Sequence, residues 1–334
     1  MRRSLLTKPA VWAAVAGLTI VLVGVWLLRA SPGQTVPSVS LRGVTAAANG
    51  AIVAVGVTGG PRDLSVVARS VDGGQHWTLA TVAIPGLSDV ASAGSRIVAA
   101  RNCLPPSAGG VPLEPAPTSC LFASLDLGLT WSDIKVGPLV DPTFADANYG
   151  WAHQQFPTGT VLFESTDGGS TWSRFGSVCP ADEPLISRAV ATGRQTGYVI
   201  CTVNGEDLSD QPWELVRVDS ATATQKVFEG VARSDEVPGI ENHWVKGLSI
   251  SNDGHGFMWT TSLYETADGG ASWQPIQSAD YQSGGFGPGG ELYGGVAYLL
   301  WGDDETSSVV QFAGGQFTTL GTWQRSLVAL ASHQ

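Results

Sequence analysis

Charge is scarce in this chain. Only 14% of its 334 residues are charged, and 18 Lys and Arg stand against 29 Asp and Glu, for a net charge of −11. Binding nucleic acid requires clustered cations to neutralise phosphates, so that class of partner is excluded. The catalytic signatures legible in a single sequence are also missing. There is no Gly-x-Ser-x-Gly elbow, no phosphate-cradling glycine loop and no metal spacing among His76, His153, His243, His255 and His333. Cysteine is limited to Cys103, Cys120, Cys179 and Cys201, with no Cys-x-x-Cys pair. That spacing argues against a structural zinc, and no metal or cofactor is expected.

What the chain has in abundance is glycine, 42 residues, and tryptophan, 12. Much of both falls in one recurring octet. Ser165-Thr166-Asp167-Gly168-Gly169-Ser170-Thr171-Trp172 shares its spacing with Ser70-Val71-Asp72-Gly73-Gly74-Gln75-His76-Trp77. Ser124-Leu125-Asp126-Leu127-Gly128-Leu129-Thr130-Trp131 and Thr266-Ala267-Asp268-Gly269-Gly270-Ala271-Ser272-Trp273 are the other two copies. Copies at intervals of roughly 40 to 55 residues mark an array of like units. Asp followed by Gly is turn chemistry: the carboxylate accepts backbone N–H bonds two residues on, and Gly takes positive φ freely. Each octet follows a short apolar run and its Trp opens another, so each is a hairpin turn whose Trp packs and seeks a partner for its indole N–H.

Before each octet lie two further short runs joined by a Gly-containing turn, among them Val44 to Ala48 with Ala51 to Val57, and Ile186 to Ala191 with Gly197 to Thr202. In three of them Gly precedes an aromatic: Gly150-Trp151, Gly197-Tyr198 and Gly256-Phe257. Two strands before the octet and two around it make a four-stranded antiparallel blade. Two repeats without the octet, at 214–228 and 295–320, bring the number to six. A spare run at 326–331 either closes the ring on the first blade or belongs to an imperfect seventh. The fold expected over 39–334 is an all-β propeller of six or seven blades, which removes exposed sheet edges.

The octets resemble the Asp-box, or BNR repeat, of sialidases, sortilin-type receptors, xyloglucan-degrading enzymes and photosystem II assembly-factor propellers. The resemblance covers nearly all of the chain after about Val39. It implies that Ser70, Asp72, Gly74, Trp77, Ser124, Asp126, Gly128, Trp131, Ser165, Asp167, Gly169, Trp172, Asp268, Gly270 and Trp273 are structural, closing outer turns away from the usual active face. The sialidase Phe/Tyr-Arg-Ile-Pro motif is absent around Arg42, Arg62 and Arg69. No one pair of acidic loop residues is singled out for glycosidase chemistry, which needs two carboxylates about 5 to 10 Å apart.

The N-terminus reads as a basic cytoplasmic tail, 1–8, and a transmembrane signal-anchor, 9–29. The apolar run from Pro9 to Leu28 matches the roughly twenty residues that span a bilayer, and Trp12 and Trp26 suit its two interfaces. Cleavage after Ala30 is the competing reading, although Leu28-Arg29-Ala30 makes a poor site. A linker, 30–38, follows. The domain is therefore expected at the cell membrane, single-pass, outside the cytoplasm and of bacterial type. In that compartment four Cys make two disulfides. Cys103 with Cys120 clasps a Pro-rich loop, and Cys179 with Cys201 ties the entry to the fourth repeat.

Loops on a rigid scaffold carry binding. The long ones, at 104–119, 203–213, 230–246, 278–290 and 302–307, emerge on the face opposite the octets. Asp207, Asp210, Trp213, Trp244, Tyr281, Asp303 and Asp304 are their candidate binding residues, with Phe286 a further aromatic. The function expected is a non-catalytic binding or scaffold module for a protein or glycan partner; the alternative is a cell-surface glycoside hydrolase of sialidase or glucanase type.

Overall fold

The computed structural model describes residues 38–58, 64–101, 103, 119–156, 159–180, 185–202, 212–231, 245–260, 262–276, 285–302 and 305–324. They form six four-stranded antiparallel sheets, each made of four consecutive strands. Blade 1 is β1 (Val39–Ala46), β2 (Ile52–Thr58), β3 (Leu64–Ser70) and β4 (Thr78–Pro85). Blade 2 is β5 (Leu87–Ala93), β6 (Arg96–Arg101), β7 (Leu121–Ser124) and β8 (Ser132–Ile134). Blade 3 is β9 (Val140–Phe144), β10 (Gly150–Phe156), β11 (Gly159–Ser165) and β12 (Ser173–Gly176). Blade 4 is β13 (Leu185–Gly193), β14 (Thr196–Thr202), β15 (Pro212–Ser220) and β16 (Ala223–Val231). Blade 5 is β17 (Gly247–Ile250), β18 (Gly256–Trp259), β19 (Leu263–Thr266) and β20 (Gln274–Ile276). Blade 6 is β21 (Gly285–Tyr293), β22 (Val296–Gly302), β23 (Thr306–Ala313) and β24 (Gln316–Gln324). The expected spare run and the segment 9–29 lie outside the described residues, and no helix among the described residues is long and apolar enough to cross a membrane.

The first strand of every blade touches the first strand of the next, and β21 touches β1, so six first strands surround an axis. Both faces of a blade are covered, which explains why the inner strands read as continuous apolar runs rather than alternating ones. In β2, Val53 and Val55 join the core shared with blade 2, whereas Ile52 and Ala54 join the core shared with blade 6. The outermost strand β4 keeps one residue, Val82, fully buried. Between first strands, side chains replace backbone pairing: Ser92 Oγ donates to the Ala46 carbonyl (2.8 Å), and Thr143 Oγ1 and Ser249 Oγ accept the N–H groups of Ala191 (3.1 Å) and Leu292 (3.0 Å).

All four octets fold alike. Ser165 Oγ donates to Asp167 Oδ1 (3.0 Å) and accepts the Gly169 N–H (2.8 Å). Asp167 then accepts the Thr171 N–H (2.8 Å) on Oδ1 and the Thr171 hydroxyl (2.6 Å) on Oδ2. The two departures in the sequence keep that last bond: His76 Nδ1 and the Ser272 hydroxyl each lie 2.6 Å from the corresponding carboxylate. Leu127 stands where the other octets have Gly and holds the same left-handed backbone, at φ 57°. Packing of Leu127 against the core shared by blades 1 and 2 offsets that strain. The indoles of Trp77, Trp131 and Trp172 donate to the carbonyls of Gly74, Gly128 and Gly169 (3.0, 3.0 and 3.2 Å), whereas the buried Trp273 Nε1 has no partner.

Burial works against the charge on Asp167 and Asp126, yet bonds from Thr171 and Thr130 outweigh it and hold both carboxyls below the ordinary range. A hydrogen bond from Ser272 does the same for Asp268. Folded values below the unfolded value mean that stability is complete above about 4 and is lost as pH falls through the folded values. Asp167→Ala should cost about 1 kcal/mol, since the turn is solvent-exposed. Thermal melts from pH 7 to 2 should show the penalty shrinking below pH 4.

Both disulfides pair as expected, Cys103 with Cys120 and Cys179 with Cys201.

Candidate functional site

The turn between the first and second strands of a blade lies on the same side as the octet turn. In blades 3 and 5 the two are joined by backbone bonds, Gly168 N–H to Asn148 O and Gly269 N–H to Gly254 O, both 2.9 Å. The axial cavity opens on this side as a funnel of about 670 Å³. Its wall carries Ser92, Thr143, Thr192, Ser249, Glu291 and Tyr293. At its mouth, Asp146 Oδ1 caps its own turn by accepting the Asn148 and Tyr149 N–H groups (2.7 and 2.9 Å), and Asp253 Oδ1 accepts the His255 N–H (3.1 Å).

Outside the funnel lining, the first strands of blades 2, 3 and 4 and the second strand of blade 3 bring together four ionisable groups that none of the sequence motifs marks. Arg188 Nη1 donates to Asp141 Oδ2 (3.0 Å), and Arg188 Nε to the Lys246 carbonyl (2.8 Å). His153 Nε2 lies 3.6 Å from the same Asp141 oxygen, with the imidazole 1% exposed and its Nδ1 unpartnered. Asp89 lies close enough to feel the Asp141 charge and takes a hydrogen bond from Ser88 Oγ (2.7 Å). Local backbone irregularity places them. The register between first and second strands shifts beside Asp89 (Leu87/Asp89) and Arg188 (Ile186/Arg188), and again opposite Trp151/His153 in blade 3. Such bulges re-aim side chains, and Asp141 itself has φ 49°.

The electrostatics sort the four groups. Burial pushes Asp89 up to about 7, reinforced by the Asp141 charge. Burial opposes the charge on Asp141 as well, but the Arg188 guanidinium holds that carboxyl below its ordinary value. Burial lowers His153, so its imidazole is neutral at neutral pH. The cluster is thus an ion pair, a neutral imidazole and a carboxyl that gives up its proton near neutrality. No group of three or more His, Cys, Asp or Glu among the described residues is arranged to hold a metal ion.

The expected binding residues fare differently. Trp213 is not on an exposed loop: it is 3% exposed, sits inside β15 and packs on Phe228 with ring centroids 5.5 Å apart. The strand begins two residues earlier than the loop reading allowed and turns the indole into the core. Phe286 is likewise buried, stacked on Phe317. Asp207, Asp210, Trp244, Tyr281, Asp303 and Asp304 lie outside the described residues.

The fold and its axial cavity define a six-bladed β-propeller of four-stranded antiparallel blades. No family model matches the chain. A curated protein of Neosartorya fischeri, "Probable oligoxyloglucan-reducing end-specific xyloglucanase", is 23% identical over 246 residues, which cover 68% of this chain. The match spans only 29% of that protein's length. Among solved structures, SapL1 lectin in complex with alpha methyl fucoside has a TM-score of 0.53 at 11% identity, covering 87% of this chain and 98% of its own. The six-bladed lectin of Aleuria aurantia has a TM-score of 0.50 at 15% identity, covering 87% and 96%. YCF48 from Cyanidioschyzon merolae has a TM-score of 0.46 at 13% identity, covering 81% and 95%. Likeness at these identities is likeness of fold.

Proposed function

We propose that the chain is a non-catalytic binding or scaffold propeller, held at the membrane by 9–29 with its blades outside the cytoplasm, that takes a protein or glycan partner. The octets are read as Asp-boxes that fasten blades. One observation carries the non-catalytic part: the axial carboxyls are engaged by the protein itself, Asp141 by the Arg188 guanidinium at 3.0 Å and Asp89 by the Ser88 hydroxyl at 2.7 Å. A glycosidase leaves its two carboxyls free to face each other across the scissile bond. A polar funnel and the loop face remain as places for a partner, and the two propellers named as lectins make a glycan the first class to try.

Glycan and peptide arrays probed with the purified domain test this reading. Saturable capture of one glycan or peptide class is expected; no saturable capture on either array would count against it. The glycoside-hydrolase alternative rests on the xyloglucanase match. Detection of the anchored form in the membrane fraction, rather than a mature chain starting at Ser31 in the medium, tests the localisation.

A further inference from the structure

The funnel is ringed by the turns between first and second strands, and its volume of about 670 Å³ falls within the roughly 300–1,000 Å³ of small-molecule sites. The bonds that tie one first strand to the next also set what its wall offers. A side-chain hydroxyl has one proton and two lone pairs. Ser92 Oγ gives its proton to the Ala46 carbonyl and keeps its lone pairs. Thr143 Oγ1 and Ser249 Oγ accept the N–H groups of Ala191 and Leu292, and among the described residues neither hydroxyl proton has an acceptor. Glu291 Oε2 accepts the Thr45 hydroxyl and the Ala46 N–H (3.3 Å), which fixes the carboxyl on the wall and leaves Oε1 available. Donors on blades 3 and 5 and acceptors on blades 2 and 6 therefore line one cavity, and Tyr293 adds a ring that is 37% exposed.

This wall disfavours two classes of partner. A peptide strand binds by pairing with free backbone groups, but the Ala46 carbonyl and the Ala191 and Leu292 N–H groups are already taken by the hydroxyls. An acidic ligand meets like charge: Asp146, Asp253 and Glu291 line the funnel, and no Lys, Arg or His joins them among the described residues. An uncharged sugar suits the wall, since its hydroxyls both donate and accept and its C–H faces pack on an aromatic ring. We propose, on the binding reading above, that the octet-side funnel takes the end of an uncharged oligosaccharide, held by Ser92, Thr143, Ser249 and Glu291 with the Tyr293 ring against one sugar face.

The full chain should be applied to an array of cello-, xylo- and galacto-oligosaccharides, sialylated and uronic-acid oligosaccharides, and peptides. Capture of an uncharged oligosaccharide is expected, at least tenfold tighter than that of any acidic one. Calorimetric titration with the captured oligosaccharide then locates the site. Ser249→Ala removes one hydrogen bond and should weaken binding about tenfold. Ala48→Trp sets a ring at the funnel mouth from an exposed turn residue and should abolish binding. Capture of peptides alone, equal or tighter capture of acidic sugars, or binding that either folded variant leaves intact would overturn the funnel site while the binding reading stands. No capture of any class would overturn both. Should Ser249→Ala fail to fold, Ala48→Trp decides, because its side chain lies outside the core.

Discussion

Replacing Arg188 by Met is expected to destabilise the protein by about 3 kcal/mol at pH 7, the low end for removing one partner of a buried ion pair, because this pair is only part-buried. The variant leaves Asp141, 17% exposed, beside Asp89 without a cation, and it strips the Lys246 and Ser187 carbonyls of their donors. Met fills much of the volume, so the deficit reports charge rather than a cavity. Its dependence on pH follows from the same cause. Without Arg188 the folded value of Asp141 rises, its contribution is lost as pH rises through that value, and the deficit should shrink near pH 4. Urea denaturation of both proteins at pH 7 and pH 4 measures this. A deficit below 1 kcal/mol at pH 7 would mean that solvent already screens the cluster.

Trp151→Ala should cost a similar amount, about 3–5 kcal/mol, with little dependence on pH. Trp151 is 1% exposed and packs on Phe175 with ring centroids 5.5 Å apart, in the core that joins blades 3 and 4. Its ring lies where a side chain on Gly197 of blade 4 would stand. The glycine is therefore required by close approach, and Gly197→Ala would collide with both the indole and the Val190 carbonyl. Calorimetric melts of Trp151→Ala and Gly197→Ala should both fall well below the wild type. A wild-type melt for Gly197→Ala would show that the two blades are not packed this closely.

That pairing shows what a sequence can express. The Gly-aromatic dipeptides Gly150-Trp151, Gly197-Tyr198 and Gly256-Phe257 mark, in the chain, places where one blade's backbone approaches a neighbouring strand or ring. The octets were equally legible because the side-chain bonds that close each turn are local, spanning at most four residues, as from Ser165 to Gly169. The disulfides followed from their neighbouring strands. The axial cluster was not legible, because Asp89, Asp141, His153 and Arg188 come from three blades and only local register shifts aim them at one another. A signal did exist: Asp89, Asp141 and Arg188 each fall near the start of the first strand in three successive repeats. Trp213 failed for the opposite reason, since its acidic neighbours suggested a loop while the strand already begins at Pro212.

The central claim, binding without chemistry, is tested most directly by turnover. The purified chain should be incubated with chromogenic glycosides and xyloglucan oligosaccharides, alongside Asp89→Asn and Asp141→Asn. The account predicts no hydrolysis above background in any of the three. Steady turnover by the wild type that either variant abolishes would contradict it and make the axial carboxyls an active site.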